Sequence, residues 1–399
     1  MIINPTPFTP ADVGYDASRL EALNRHFERL IKEGKLQFAN YCLSRDGKVF
    51  ADAAIGPRSF RPEDKTEARP DAIQWIASIT KIFCSTAIFC LVEDGLLRPL
   101  QPASEILPEM ATPPYKDITI AQLLSHTSGL HPDGGCFENK YFKTPWDYIG
   151  RMRDTPWLEA GLSVGLRTKP GTEWQYCSFG FVILGEIISR VSGMNCHDFI
   201  KTRIIDPCGM TDTFFPIRFP KTEAERALMT RFAERINIRD KEDEEFIAAV
   251  RKGKFPEPGE DDAPFEHVPQ TGGGLMSTAQ DLNKFGRMLL NKGYTDDGTR
   301  VLGRLAVDRM TENITAPEIR NYCWGSPGNH RDYALGPDRR RDEDCFYSKS
   351  TFYHEGAGAC ALLIDPEERM VASWFVPFIG GWYPEGLFSA TNVMWSGLK

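Results

Sequence analysis

The sequence predicts an α+β fold in which an antiparallel sheet is drawn from both ends of the chain, is flanked by terminal helices and carries an inserted, mostly helical lobe. Three observations lead there. A hairpin pattern lies near the N-terminus, three strand-like segments fill the last hundred residues, and the helical runs between them are apolar on nearly every side, as buried helices are. A chain of 399 residues also exceeds what one core usually organises. The expected domains are a sheet domain from residues 1–77 and 301–399 and a helical domain from 78–300.

In order, Leu20, Leu23, Phe27, Leu30 and Ile31 recur at helical spacing between Asp16 and Glu33, and Gly34 supplies a stop. Residues 38–44 and 48–54 are strand-like and joined by Arg45-Asp46-Gly47, a hairpin signal. Residues 56–73, rich in Pro, Arg, Glu and Asp, read as a surface connection. A short helix is expected around Ile118–Leu124, and His126 after it reads better as a buried histidine satisfied by the backbone than as a base. A loop with Phe137, Tyr141 and Trp146 follows, then an apolar helix from Phe181 to Val191. The charged stretch 239–262 reads as a solvated excursion with one helix from Glu242 to Arg251. Gly272-Gly273-Gly274 precedes a helix through Leu290 without a lysine at phosphate-loop spacing, so close backbone packing is its expected use. Strands are expected at 346–353, 359–364 and 369–376, and a last helix from Pro384 to Trp395.

Composition narrows the function classes. Hydrophobic residues make up 41%, charged residues 26%, and the formal net charge is -8, which speaks against nucleic acid as a partner. The basic run Arg339-Arg340-Arg341 is followed at once by Asp342, Glu343 and Asp344 and reads as a solvated loop. No stretch approaches the ~18 uninterrupted apolar residues of a membrane span, and the N-terminus lacks a secretory pattern, so a cytoplasmic location is expected. The 10 cysteines form no C-x-x-C pair, and no metal site or cofactor is expected. The expected partner is a small-molecule ester or amide; the oligomeric state is not legible.

The anomaly is Lys81, which sits in a run with no other charge before Glu93. A buried lysine is pushed toward its neutral form, and Ser78, three residues earlier, shares its helical face. Together they can form a nucleophile and its base, although Lys81 snorkelling to solvent with Ser78 as a helix cap is the plainer alternative. Two further stations follow: Tyr176-Cys177-Ser178, and His354-Glu355-Gly356, read as the head of a strand continuing through Ala357-Gly358-Ala359.

In this order, Ser78-Ile79-Thr80-Lys81, Tyr176-Cys177-Ser178 and His354-Glu355-Gly356 resemble the serine β-lactamase and penicillin-binding-protein superfamily, with its S-x-x-K, Y-x-N and K-T-G or H-x-G motifs. The likeness is greatest to the class C β-lactamase-related esterases and D-amino-acid hydrolases. The segments Leu123–Leu130 and Gly272–Leu282 support it. The resemblance implies a β-lactamase/transpeptidase-like fold, with Ser78 as the acylated nucleophile. Lys81 and Tyr176 would share proton transfer, the phenol acting as a base if its pKa is lowered beside Lys81. The N–H groups of Ser78 and Ala357 would form the oxyanion hole, and Ser178, His354 and Gly356 would bind substrate.

Two departures shift the expected substrate. Ser178 stands where penicillin-recognising members have Asn, and His354 replaces the lysine that pairs with the antibiotic carboxylate. A carboxylesterase on small esters is therefore expected. The alternatives are an amidase, D-stereospecific peptidase or β-lactamase, an acyltransferase, and a non-catalytic acyl-binding sensor. The aromatics Tyr322, Trp324, Tyr333, Phe346, Tyr347 and Phe352 offer a second expectation, an acyl or alcohol pocket, against the plainer one that they pin a loop.

Overall fold

The computed structural model describes residues 1–58, 65–134, 143–216, 222–229, 231–233, 265, 267–323, 328–339, 344–377 and 385–399. Its centre is a six-stranded antiparallel sheet that joins both ends of the chain. The strands are β1 (Ile2–Ile3), β2 (Ala39–Arg45), β3 (Lys48–Ile55), β8 (Phe352–Gly356), β9 (Cys360–Asp365) and β10 (Met370–Phe375), in the order β1-β3-β2-β10-β9-β8. Asp46 and Gly47 close the β2–β3 hairpin with φ of 51° and 77°, the left-handed pair a tight two-residue turn requires. Between the two halves of the sheet, β2 runs antiparallel to β10 with Cys42 opposite Ser373.

Strand alternation divides the core. Tyr41, Leu43, Leu363 and Trp374 face one way, against Leu23 and Phe27 of α1 (Ala17–Lys32) and Met394 and Trp395 of the last helix, Ala390–Trp395. Cys42, Leu362, Ile364, Val371 and Phe375 face the other way and join the larger cluster of the helical region. The helix Ala279–Leu290 covers this second face. A Cβ at Gly286 would stand 2.5 Å from Val371 Cγ1, and Asn283 donates to the carbonyls of Cys42 at 3.0 Å and Val371 at 3.2 Å. That helix therefore packs directly on the sheet. A helix through Leu290 was legible in the sequence, but not which apolar surface it covers.

Four local expectations change. Strand β8 begins at Phe352, and residues 357–359 are the turn after it, because Gly358 and Ala359 take φ of 88° and 63° and reverse the chain. His354 and Gly356 therefore lie within and at the end of the strand, not at its head. The loop expected after His126 contains two helices, α4 (Pro145–Arg151) and α5 (Trp157–Leu162); Thr144 caps α4 through the Asp147 pairing and Pro145 occupies its first turn. The connection from 56 to 73 is not simply surface, since Ala68, Ala72 and Ile73 are buried. The helix expected at Glu242–Arg251, with Phe137, Tyr141 and Trp324, lies outside the described residues. Among the described residues no helix is long and apolar enough to cross a membrane.

Candidate active site

The segment carrying Ser78 is held from both sides. Strand β4 (Gln74–Trp75) pairs antiparallel with β6 (Met276–Ser277), and Ile76 N–H donates to Leu275 O at 3.0 Å. The chain then enters a single 3-10 turn, Ala77–Ile79, which runs into α2 (Thr80–Glu93). Ala77, just before the serine, has φ of 46°, a left-handed conformation uncommon for a residue with a side chain. Such strain persists where surrounding contacts over-determine it. Here the β4–β6 pairing and the buried helix do so, and Ser78 is left partly exposed at their junction.

Lys81 is fully buried in the first turn of α2, which is buried continuously from Thr80 to Leu91. Its ammonium donates to Ser78 Oγ at 3.1 Å, Ser178 Oγ at 3.0 Å and Gly272 O at 2.6 Å. Nζ also lies 4.8 Å from the Tyr176 ring centroid and 5.5 Å from that of Phe181. Three donors thus meet three acceptors, which makes a buried cation tolerable. Burial nonetheless draws the Lys81 pKa down to about 8, against the opposing pull of the Asp133 carboxylate. The fold thus brings one proton acceptor, in the free-base form, directly against the Ser78 and Ser178 hydroxyls.

Tyr176 comes from the loop ahead of α6 (Ser178–Ser192), set by the short parallel pairing of β5 (Glu173–Trp174) with β7 (Arg320–Asn321). Its hydroxyl is hydrogen-bonded to Ser78. Burial, reinforced by Asp133, holds the phenol well above its ordinary pKa. The lowered phenol pKa anticipated beside Lys81 is therefore reversed: burial outweighs the neighbouring charge, and the phenol stays protonated.

Ser178 heads α6. Its N–H donates to Asp133 Oδ1 at 2.7 Å and its hydroxyl to Asp133 Oδ2 at 2.5 Å, while Lys81 donates to the same hydroxyl. Asp133 is the residue sequence reasoning missed. In His131-Pro132-Asp133-Gly134 it reads as turn chemistry, and only the fold shows that its carboxylate faces the lysine. The Gly272 carbonyl was missed for a similar reason, its glycine run having been read as packing alone. Packing is also real there, for a Cβ at Gly272 would stand 3.0 Å from Ser178 O.

His354 is enclosed behind Tyr176, their rings 6.2 Å apart, with Nδ1 2.6 Å from Glu355 O and Nε2 3.4 Å from the Tyr333 hydroxyl. Burial, followed by the charge of Lys81, lowers its pKa to about 4, so it is neutral at pH 7. Gly356 approaches Ile76, not an open cleft: a Cβ there would stand 2.3 Å from Ile76 O. His354 thus packs against Tyr176, and Gly356 against the segment leading to Ser78. His126 behaves largely as expected, its Nδ1 accepting the Cys177 N–H at 3.0 Å, although Nε2 has no hydrogen-bond partner among the described residues.

A cavity of about 560 Å³ opens on this group, with Ser78, Ser178, Asp133, Trp146, Phe265 and Ala357 on its walls. Ala357, in the turn after β8, is exposed and lines the same cavity as Ser78. Of the aromatics expected to form a pocket, Tyr333 and Phe352 are buried in the core and Phe346 is 67% exposed. None of the described ones lines this cavity; Trp75, Trp146 and Phe265 do.

A family model described as Beta-lactamase matches residues 23–376. The chain belongs to the beta-lactamase family. Protein Rv1367c of Mycobacterium tuberculosis is 31% identical over 276 residues, covering 64% of this chain and 63% of its own. A lovastatin esterase of Penicillium rubens is 30% identical over 216 residues, covering 48% of this chain and 52% of its own. The chain thus spans between about half and three-fifths of the length of these curated relatives. Among solved structures, a penicillin-binding protein homologue from Caulobacter crescentus has the same fold, with a TM-score of 0.72 at 19% identity and 100% coverage of both chains. Members of this beta-lactamase family are serine hydrolases, and the S-x-x-K serine and lysine of this one meet at its cavity.

Proposed function

We propose that the protein is a serine hydrolase acting through a Ser78 acyl-enzyme on small carboxylic esters. The observation that carries this reading is the Lys81 Nζ to Ser78 Oγ contact of 3.1 Å, made by a lysine whose pKa is drawn to about 8. In the free-base form Lys81 takes the proton of Ser78 as Oγ attacks the ester carbonyl carbon. Negative charge on the carbonyl oxygen is received by the Ser78 and Ala357 N–H groups. The C–O bond to the alcohol then breaks, the alcohol leaves with a proton from the Tyr176–Lys81 pair, and the acyl group stays on Ser78. Water repeats the sequence with Lys81 as base, releasing the acid and restoring the serine.

The preference for esters over amides rests on Ser178. Its one hydroxyl hydrogen is committed to Asp133, so it cannot also be donated to a substrate carbonyl, as the amide NH2 of an asparagine could. With His354 neutral and enclosed, the carboxylate of a β-lactam finds no cation there. The test is steady-state hydrolysis of p-nitrophenyl butyrate against nitrocefin. Ester turnover at least about a hundredfold faster in kcat/KM is expected from the loss of these two contacts. Equal or faster nitrocefin turnover contradicts the ester assignment.

A further inference from the structure

Asp133 is the one charged side chain among the described residues lining the cavity. Both carboxylate oxygens are fixed by Ser178, at 2.7 Å through its N–H and 2.5 Å through its hydroxyl, and each keeps a lone pair for a second donor. The successive contacts Ser78 to Lys81, Lys81 to Ser178 and Ser178 to Asp133, of 3.1, 3.0 and 2.5 Å, place the carboxylate less than about 9 Å from Ser78 Oγ. That is within reach of a group two or three bonds beyond a reacting carbonyl.

We propose that Asp133 makes the cavity selective for esters whose acyl chain carries an ammonium group a few bonds from the reacting carbonyl. The proposal rests on the Ser78 acyl-enzyme reading. Its charge logic follows from the protonation state that reacts. While Lys81 is an ammonium, it offsets the Asp133 carboxylate; once Lys81 is the free base that accepts the serine proton, the carboxylate faces the cavity uncompensated. A substrate ammonium then restores neutrality, whereas a substrate carboxylate adds a second negative charge. The lysine that would answer an anionic substrate in relatives of the penicillin-binding type is His354 here, enclosed and neutral. Trp75, Trp146 and Phe265 share the cavity walls, and aromatic faces also favour a cation over an anion.

Three methyl esters of similar length separate charge from size: β-alanine methyl ester, methyl butanoate and monomethyl succinate, followed by acid release at pH 7.5. The expected order of kcat/KM is ammonium, neutral, carboxylate, with roughly 10–100-fold between the extremes, as a charge contact of this length near a surface provides. In Asp133→Asn the extremes are expected to fall within about twofold, whatever the common effect on Lys81, because the ratio is taken within one enzyme. Should that variant fail to fold, Asp133→Ser serves in its place. Equal rates for the three esters in the wild type, a preference for succinate, or an order unchanged in the variant would overturn the proposal. Methyl butanoate turnover that vanishes in Ser78→Ala tests the acyl-enzyme reading by itself. If no ester is turned over, that reading fails, and calorimetric binding of β-alanine methyl ester against monomethyl succinate decides the charge preference. Tighter binding of the amine upholds it, and equal binding overturns it.

Discussion

Lys81 Nζ stands 3.1 Å from Ser78 Oγ while the lysine side chain is fully buried, so the fold holds a titratable base directly against a hydroxyl. Burial favours the free amine, and the Asp133 carboxylate favours the ammonium. The other groups facing Lys81 are the Cys84 and Cys177 thiols, a protonated Tyr176 and neutral imidazoles at His126 and His354. Only the free base can accept the serine proton, so kcat/KM for a neutral ester is expected to rise with pH through a midpoint of about 8. At two units below the midpoint it should be about a hundredfold under the plateau. Lys81→Met is expected to lower kcat by about 10²–10⁴ and to remove that limb. A flat profile between pH 6 and 9 in the wild type contradicts the assignment.

The same lysine links pH to stability. Its pKa is lowered from 10.5 to about 8 on folding, so between those values the unfolded chain holds the extra proton and folding gains as pH rises. The buried cysteines, whose pKa values are raised, act in the opposite sense. The measurable quantity is therefore the difference in urea midpoint between wild type and Lys81→Met. It should move in favour of the wild type from pH 7.5 to pH 10 and stay constant if Lys81 keeps an ordinary pKa.

Tyr176→Phe separates the hydroxyl from the ring. The ring packs 4.4 Å from His126 and under the Lys81 ammonium, and phenylalanine keeps both contacts. A fall in kcat of about 10²–10³ is expected with a melting temperature close to the wild type's. A loss of melting temperature in proportion to activity points to packing instead.

Much of the fold was readable because local signals agreed with the global pattern. The Asp46-Gly47 turn, the period-two strands and the stop at Gly34 each follow from residues a few positions apart. Ser78 and Lys81 were readable for the same reason, being one helical turn apart. Asp133, Gly272 O and the enclosure of His354 were not, because each depends on contacts between segments 45 to 191 positions apart in sequence or on what covers a strand. The direction of the Tyr176 shift turned on burial, which the motif does not encode.

Gly356→Ala tests the coupling between β8 and the Ser78 segment. The added methyl would stand 2.3 Å from Ile76 O and 2.4 Å from Cys360 Sγ, both inside van der Waals contact. Strand and segment must part, at a cost of about 1–3 kcal/mol in stability. Because Ile76 lies two residues from Ser78, kcat should fall as well. Unchanged activity in a destabilised variant would show that the close approach serves packing alone.

The most direct test of the central claim is intact-mass spectrometry of the protein quenched within seconds of mixing with p-nitrophenyl butyrate, alongside Ser78→Ala. The account predicts a single added butyryl group, mapped to Ser78 by peptide digestion, absent from the variant and decaying as butyrate is released. Ester turnover that persists in Ser78→Ala, or an acyl group mapped to another residue, would contradict it.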